Sequence, residues 1–219
     1  MGLSTITDNL DLYGEGFVGT LKLTGIGATG ALVLGAALAA MRVSPVASLR
    51  AGGLLYVEAL RNCPLPVLVV LMAFGLPALG EPFRSFSFFA YGAAAIVIYH
   101  AAFACEALRS GINSVSAGQG EAARALGLPF GQTLRLVVLP QALRTVIPPI
   151  GNVLIALTKN TAVVAGIDVM DITNVTELII NDTVDPLFAV LGSALCYLVL
   201  TLPMGLVVGR VERKAAFAR

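Results

Sequence analysis

Charge is scarce in this chain. Of its 219 residues only 12% are Asp, Glu, Lys or Arg, against 57% that are hydrophobic. A soluble domain of this length has more surface than so few charges can cover, so lipid is expected to cover part of it. Histidine occurs once, at His100, and the three cysteines (Cys63, Cys105, Cys196) sit in apolar runs without ligand spacing. No metal site is expected from such a set, and the cysteines read as small buried hydrophobes. No glycine-rich loop ends in Gly-Lys-Ser or Gly-Lys-Thr, so no nucleotide site of that kind is expected. The first sixteen residues hold Asp8, Asp11 and Glu15 but no Lys or Arg. A secretory signal begins with positive charge, so the first apolar segment is expected to stay as an anchor. The paired inverted repeats of many secondary transporters are missing too.

What is present is long apolar runs. A helix needs about 20 apolar residues to cross the hydrocarbon layer. Five stretches reach that length, at about 17–41, 52–76, 86–108, 136–157 and 187–208. The second is interrupted by Glu58, Arg61, Pro64 and Pro66. The distribution of Lys and Arg orients them. The N-terminal tail has none, and the stretch 160–186 has none while carrying Asp168, Asp171, Glu177, Asp182 and Asp185. Arg42 and Arg50 follow the first span, Arg109, Arg124 and Arg135 follow the third, and Arg210, Arg213, Lys214 and Arg219 follow the fifth. The expectation is an all-α integral membrane protein, a single transmembrane domain over 1–219, with five transmembrane helices. Its N-terminus is outside, its C-terminus cytoplasmic, and a cytoplasmic helix lies between spans 3 and 4.

That cytoplasmic segment is the most informative. Ser116 followed by Gln119 has the spacing of a capping box. Helix formers run from Gln119 to Leu126, Gly127 supplies a left-handed stop, and Pro129 blocks resumption. The pattern predicts a short helix over 117–126. Ala122 and Ala123 leave one face without bulk, open to close approach by another protein, with Leu126 and Leu128 as an apolar anchor.

The string Glu121-Ala122-Ala123, then Gly127, then Val137-Val138-Leu139-Pro140, resembles the EAA motif of bacterial ABC importer permeases, with valine where the family usually has isoleucine. The resemblance extends over most of the chain. Tyr56-Val57-Glu58-Ala59-Leu60-Arg61-Asn62-Cys63-Pro64 is similar to the second-helix signature of the polar amino acid uptake permeases, and Glu106-Ala107-Leu108-Arg109-Ser110-Gly111-Ile112 leads into the loop as in that family. Leu139-Pro140-Gln141-Ala142-Leu143-Arg144 continues it. Thr158-Lys159-Asn160-Thr161 and Met41-Arg42-Val43-Ser44-Pro45-Val46 look most like glutamate-type permeases of actinobacteria. The resemblance implies a non-catalytic subunit of the bacterial cell membrane. It implies a second permease subunit, the same or different, two ATPase subunits that bind ATP and Mg, and an extracytoplasmic substrate-binding protein. This chain itself would hold no cofactor and no nucleic acid. Glu121, Ala122, Ala123 and Gly127 would couple to the ATPase.

A charge at the bilayer centre costs several kcal/mol, so each one is a candidate for function. Glu58 and Arg61 are three apart on one helix face and can pair. Either they face the cavity or Arg61 snorkels at the interface. Pro64 and Pro66 break the ladder just beyond, and freed carbonyls at that depth need protein or water to meet them. Lys159 ends the fourth span, either snorkelling or joining Asn160 and Thr161 in a polar vestibule. His100 reads as a packing residue, and Glu106 as a partner of Arg109. The solute expected is a polar amino acid, glutamate first and glutamine second. Arg61 would grip its carboxylate with two parallel bonds.

Overall fold

A computed structural model describes residues 2–183 and 185–216, and all its regular elements are helical. Arg219, counted above with the basic tail, lies outside the described residues. After a single turn, α1 (Leu3–Thr7), comes α2 (Leu10–Val43), whose 34 residues make a rod about 50 Å long. The expected second span is not one helix. α3 (Ala47–Arg61) and the segment of α4 (Leu65–Val70), a π turn at Leu71–Gly75 and α5 (Leu76–Ala78) meet at 104°. The bend falls at Asn62–Pro64, where Pro64 has no N–H to continue the ladder and Pro66 stands in the first turn of α4.

α6 (Phe88–Asn113) starts at Ser87, whose hydroxyl accepts the Ala90 N–H at 3.2 Å. The loop then holds α7 (Ala117–Ala125) and α8 (Phe130–Thr133). A π turn at Leu134–Val138 leads into α9 (Leu139–Asn160), extended by a 3-10 turn at Thr161–Ile167. α10 (Ile172–Thr183) and α11 (Pro186–Ala216) complete the chain. Both π turns have one cause. A proline ring collides with the carbonyl four residues earlier, and Pro77 and Pro140 stand four residues after Ala73 and Leu136, each in the middle of a π turn. The helix widens there instead of breaking.

Among the described residues four helices are long and apolar enough to cross a membrane, or five when the bent pair counts as one span. α6 is the central one, packed by α2 on one side and α9 on another. Leu23, Ile96 and Leu157 are fully buried where the three meet. Lipid tails are as apolar as leucine, so close approach holds such helices together rather than exclusion from water. Gly35 accordingly meets Ala104 and the Ala101 carbonyl, and Gly19 lies directly against the Met170 carbonyl, where a Cβ would collide. α11 keeps an apolar outer face, with Leu187, Leu195, Val199, Leu202 and Leu206 exposed.

The two ends of the bundle differ. At the end away from α7, Asp185 accepts from the Gly2 N–H and the Thr5 hydroxyl, both at 2.9 Å, which ties the N-terminal turn to the start of α11. The Gly2 N–H, then the Thr5 hydroxyl, hold the Asp185 carboxyl below the usual carboxylate range. The Tyr13 hydroxyl donates to the Ala189 carbonyl at 2.9 Å on the same side.

Candidate functional site

Three of the residues singled out in the membrane, Arg61, His100 and Asn160, are linked in one strip, though not as the sequence suggested. Arg61 is the last residue of α3, which is fixed to α6 by the buried Val57 and by the Tyr56 hydroxyl donating to the Ile98 carbonyl at 2.8 Å. The Arg61 side chain forms no ion pair with Glu58. Its Cζ lies 5.7 Å from the centre of the Phe103 ring on α6, a cation–π contact. Helical spacing allowed the Glu58 pair, but an aromatic face on the neighbouring helix took the guanidinium instead. Both Glu58 and Arg61 remain exposed.

From Phe103 the strip continues through aromatic contacts. Tyr99 is 5.0 Å from Phe103 and 5.2 Å from His100, ring centre to ring centre. His100 is buried, with Nδ1 3.0 Å from the Ile96 carbonyl and Nε2 3.1 Å from Asn160 Nδ2. A carbonyl only accepts, so Nδ1 carries the hydrogen, and the bare Nε2 accepts from the Asn160 amide.

This contact corrects the depth of Lys159. His100 stands 12 residues from the first residue of α6 (100 − 88) and 13 from the last (113 − 100). Asn160 therefore lies beside the middle of α6, and the helical rod that carries Lys159 does not end there. The helical rod runs on to Ile167. The run Ala162-Val163-Val164-Ala165 past the lysine is the signal that sequence reading passed over. Lys159 is exposed at that depth and Asn160 half-buried. Thr161 does not line a vestibule: it is fully buried, and its hydroxyl donates to the Thr158 carbonyl at 2.9 Å.

At the other end the loop helix is present, one residue shorter than expected. Ser116 occupies the N-cap position, but its hydroxyl makes no capping bond. Gly127 has φ +81 and open space where a Cβ would stand, so backbone conformation alone, not crowding, favours glycine there. Glu121, Ala122 and Leu126 are exposed, Leu126 at 83%. Ala123 is not part of that open face. It is 4% exposed, on a helix that packs on α8 and the π turn of its own chain. Beneath this loop, Glu106 accepts from Arg42 Nη1 at 2.7 Å and from Arg109 Nη2 at 2.9 Å, joining α2 to α6. Sequence reading found Arg109 as a partner but not Arg42.

At the opposite end an open cavity of about 1030 Å³ is lined by Asp11, Glu15, Lys22, Phe89 and Asp168 among others. Behind it Asp171 is fully buried and accepts from the Asn174 N–H at 2.8 Å and the Tyr197 hydroxyl at 3.0 Å. Burial pushes its carboxyl up to about 6, against the pull of these hydrogen bonds. Among the described residues no three of His, Cys, Asp or Glu come together to hold a metal ion.

Residues 31–217 match the protein family described as binding-protein-dependent transport system inner membrane component. The chain belongs to that family. It is 38% identical over 214 residues to a probable glutamine ABC transporter permease of Bacillus subtilis (strain 168), covering 98% of both chains. It is 41% identical over 207 residues to a glutamate transport system permease of Corynebacterium glutamicum, covering 90% of this chain and 91% of the relative. Its fold superposes with a TM-score of 0.91 and 30% identity on the crystal structure of an amino acid ABC transporter with histidines, covering 98% of this chain and 99% of that one. This permease subunit is thus a multi-pass protein of the bacterial plasma membrane, and its curated relatives are transport components. Its fold implies partner permease and ATPase subunits.

Proposed function

We propose that this permease carries L-glutamate into the cytoplasm by alternating access. A second permease subunit completes the path, an extracytoplasmic binding protein delivers the solute, and two partner ATPases drive the cycle by hydrolysing ATP with Mg. The observation that carries the solute reading is the Arg61 guanidinium, held over Phe103 and, among the described residues, in no ion pair with a carboxylate. An acidic amino acid brings two negative charges and one positive into a low-dielectric path and needs a cationic partner to offset desolvation. A guanidinium meets a carboxylate with two parallel hydrogen bonds. Exposed Lys159 at mid-depth adds a second cation. The glutamate permease of Corynebacterium glutamicum as a relative supports the same solute. Glutamine is the second reading, supported by the Bacillus subtilis relative, since one carboxylate and one ammonium would use the same residues.

The distribution of Arg and Lys supports an orientation with the α7 end cytoplasmic. There Glu121, Ala122, Leu126 and Gly127 form the surface that enters a cleft on the ATPase. ATP and Mg belong to that partner, and this chain contributes no cofactor site.

Uptake of labelled L-glutamate into proteoliposomes holding the assembled transporter tests the solute reading. Arg61→Ala should lower uptake at least about tenfold, the weight of a lost hydrogen-bonded charge. Arg61→Lys, which keeps the charge but loses the fork, should fall between the two. Wild-type uptake by both variants, with the complex still assembled, would remove Arg61 from the path. Competition by unlabelled glutamine against glutamate separates the two solutes.

A further inference from the structure

The single histidine of the chain is tied to the half-buried amide at mid-depth, and that tie has a direction. The Ile96 carbonyl holds the hydrogen on His100 Nδ1 (3.0 Å), which leaves Nε2 as an acceptor. Asn160 stands 3.1 Å from Nε2 and must turn its NH₂ toward the ring. Its Oδ1 therefore points away from His100. A doubly protonated ring would set two donors against each other, and an Nε2–H tautomer would turn the amide round. Asn160 is half-buried beside exposed Lys159, whereas His100 itself is buried. The ring does not touch solute; it sets which atom of Asn160 does.

We propose that His100 is a positioning residue that makes Asn160 a hydrogen-bond acceptor toward the path, selecting solutes with a cationic N–H donor, the ammonium of an amino acid. The inference rests on the reading of the strip from Arg61 to Asn160 as the solute path. The two ends then divide the solute between them. Arg61 takes carboxylate and repels ammonium, while Asn160 Oδ1 accepts from ammonium and offers a carboxylate nothing. A dicarboxylate without the amino group satisfies one end only and leaves the half-buried Asn160 acceptor unpaired, which is how a polar site rejects an analogue.

Binding of labelled L-glutamate to the purified assembled transporter, with no binding protein present and glutarate as the competitor, measures this selection directly. Wild type should prefer glutamate over glutarate by at least about tenfold. Asn160→Leu and His100→Phe should abolish that preference by weakening glutamate, not by tightening glutarate. His100→Gln should keep it, because an amide N–H can face the Ile96 carbonyl while its oxygen accepts from Asn160. A role in packing alone predicts the reverse, since phenylalanine keeps the ring that meets Tyr99. Selective ¹⁵N-histidine labelling reads the tautomer independently, with the signal assigned by its loss in His100→Gln. Hydrogen on Nδ1 is expected. Hydrogen on Nε2, no preference in wild type, a preserved preference in Asn160→Leu or His100→Phe, or its loss in His100→Gln would each overturn the inference. If Arg61→Ala weakens glutamate while Asn160→Leu does not, the inference alone fails. If neither has an effect, the strip is not the path and the underlying reading fails with it.

Discussion

Arg42 Nη1 lies 2.7 Å from Glu106 Oε1, a link between α2 and α6 across 64 positions of sequence. Arg109 closes on the second oxygen of the same carboxylate at 2.9 Å. Glu106 is thus the shared centre of a three-residue node beneath the loop helix. Its side chain is 22% exposed, those of Arg42 and Arg109 13% and 33%. Removing one arginine leaves the carboxylate paired, while removing the carboxylate leaves two guanidiniums facing each other. Glu106→Gln should therefore lower unfolding stability by about 1–3 kcal/mol, more than Arg42→Gln or Arg109→Gln. Thermal unfolding of the purified subunit in detergent checks the order. Equal midpoints for the three variants would show that the node contributes nothing as a unit.

The loop helix separates two alanines that look equivalent in sequence. Ala122 is exposed and Ala123 is packed on its own chain. Ala122→Glu should leave the subunit folded and weaken co-purification with the ATPase, since it places an unpaired charge in the contact. Ala123→Glu should first lower the stability of the loop, seen as faster proteolysis around Arg124. Gly127→Asn should be tolerated, because asparagine accepts a left-handed backbone, whereas Gly127→Val should cost about 1–2 kcal/mol. Wild-type ATPase binding and uptake by Ala122→Glu would remove this face from the coupling surface.

Much of the fold is legible in the sequence because lipid imposes a simple rule, length and apolarity. The runs at 17–41, 136–157 and 187–208 lie within long helices, and that at 86–108 does so from Phe88 on. Pro64 and Pro66 announce the break in the second run, but not its 104° bend, which depends on what packs on each side. The contacts among the candidate residues were not legible in the sequence. Arg61 lies three residues from Glu58 in sequence and far from Phe103, and only packing of α3 on α6 decides between them. His100 and Asn160 are 60 positions apart, so neither the ring's role nor the depth of Lys159 can be read locally. The capping spacing of Ser116 and Gln119 marks where α7 starts without securing the bond.

Asp171 gives the permease a pH-dependent stability of defined sign. In the folded chain burial holds its proton up to about 6, whereas an unfolded aspartate releases it near 3.9. The folded state binds the extra proton, so this contribution is complete below about pH 4 and is lost as pH rises to about 6. The loss amounts to about 3 kcal/mol. Asp171→Asn cannot titrate, and its amide oxygen can still accept the Asn174 N–H. Melting curves in detergent from pH 4 to pH 7 should show wild type losing midpoint relative to the variant, with the gap constant above that range. Parallel curves throughout would mean that Asp171 is ionised in the folded state.

The last prediction concerns sidedness. The ends of the bundle are distinguished by charge as well as by structure. The tie from Asp185 to Gly2 and Thr5 puts the N-terminal turn beside the start of α11, and Tyr13 packs with Ile179 of α10 at the same end. Asp8 and Asp182 are exposed there. Gln132 is exposed at the opposite end, next to α7, in the loop that carries Arg124 and Arg135. Arg and Lys are retained on the cytoplasmic side of a membrane, whereas acidic residues hardly affect orientation. A cysteine at Asp8 or Asp182, with Cys63, Cys105 and Cys196 replaced by serine or alanine, should react with an impermeant thiol reagent on intact cells. A cysteine at Gln132 should react only after lysis. Reaction of the Gln132 variant in intact cells would invert the orientation and put the loop helix out of reach of an ATPase.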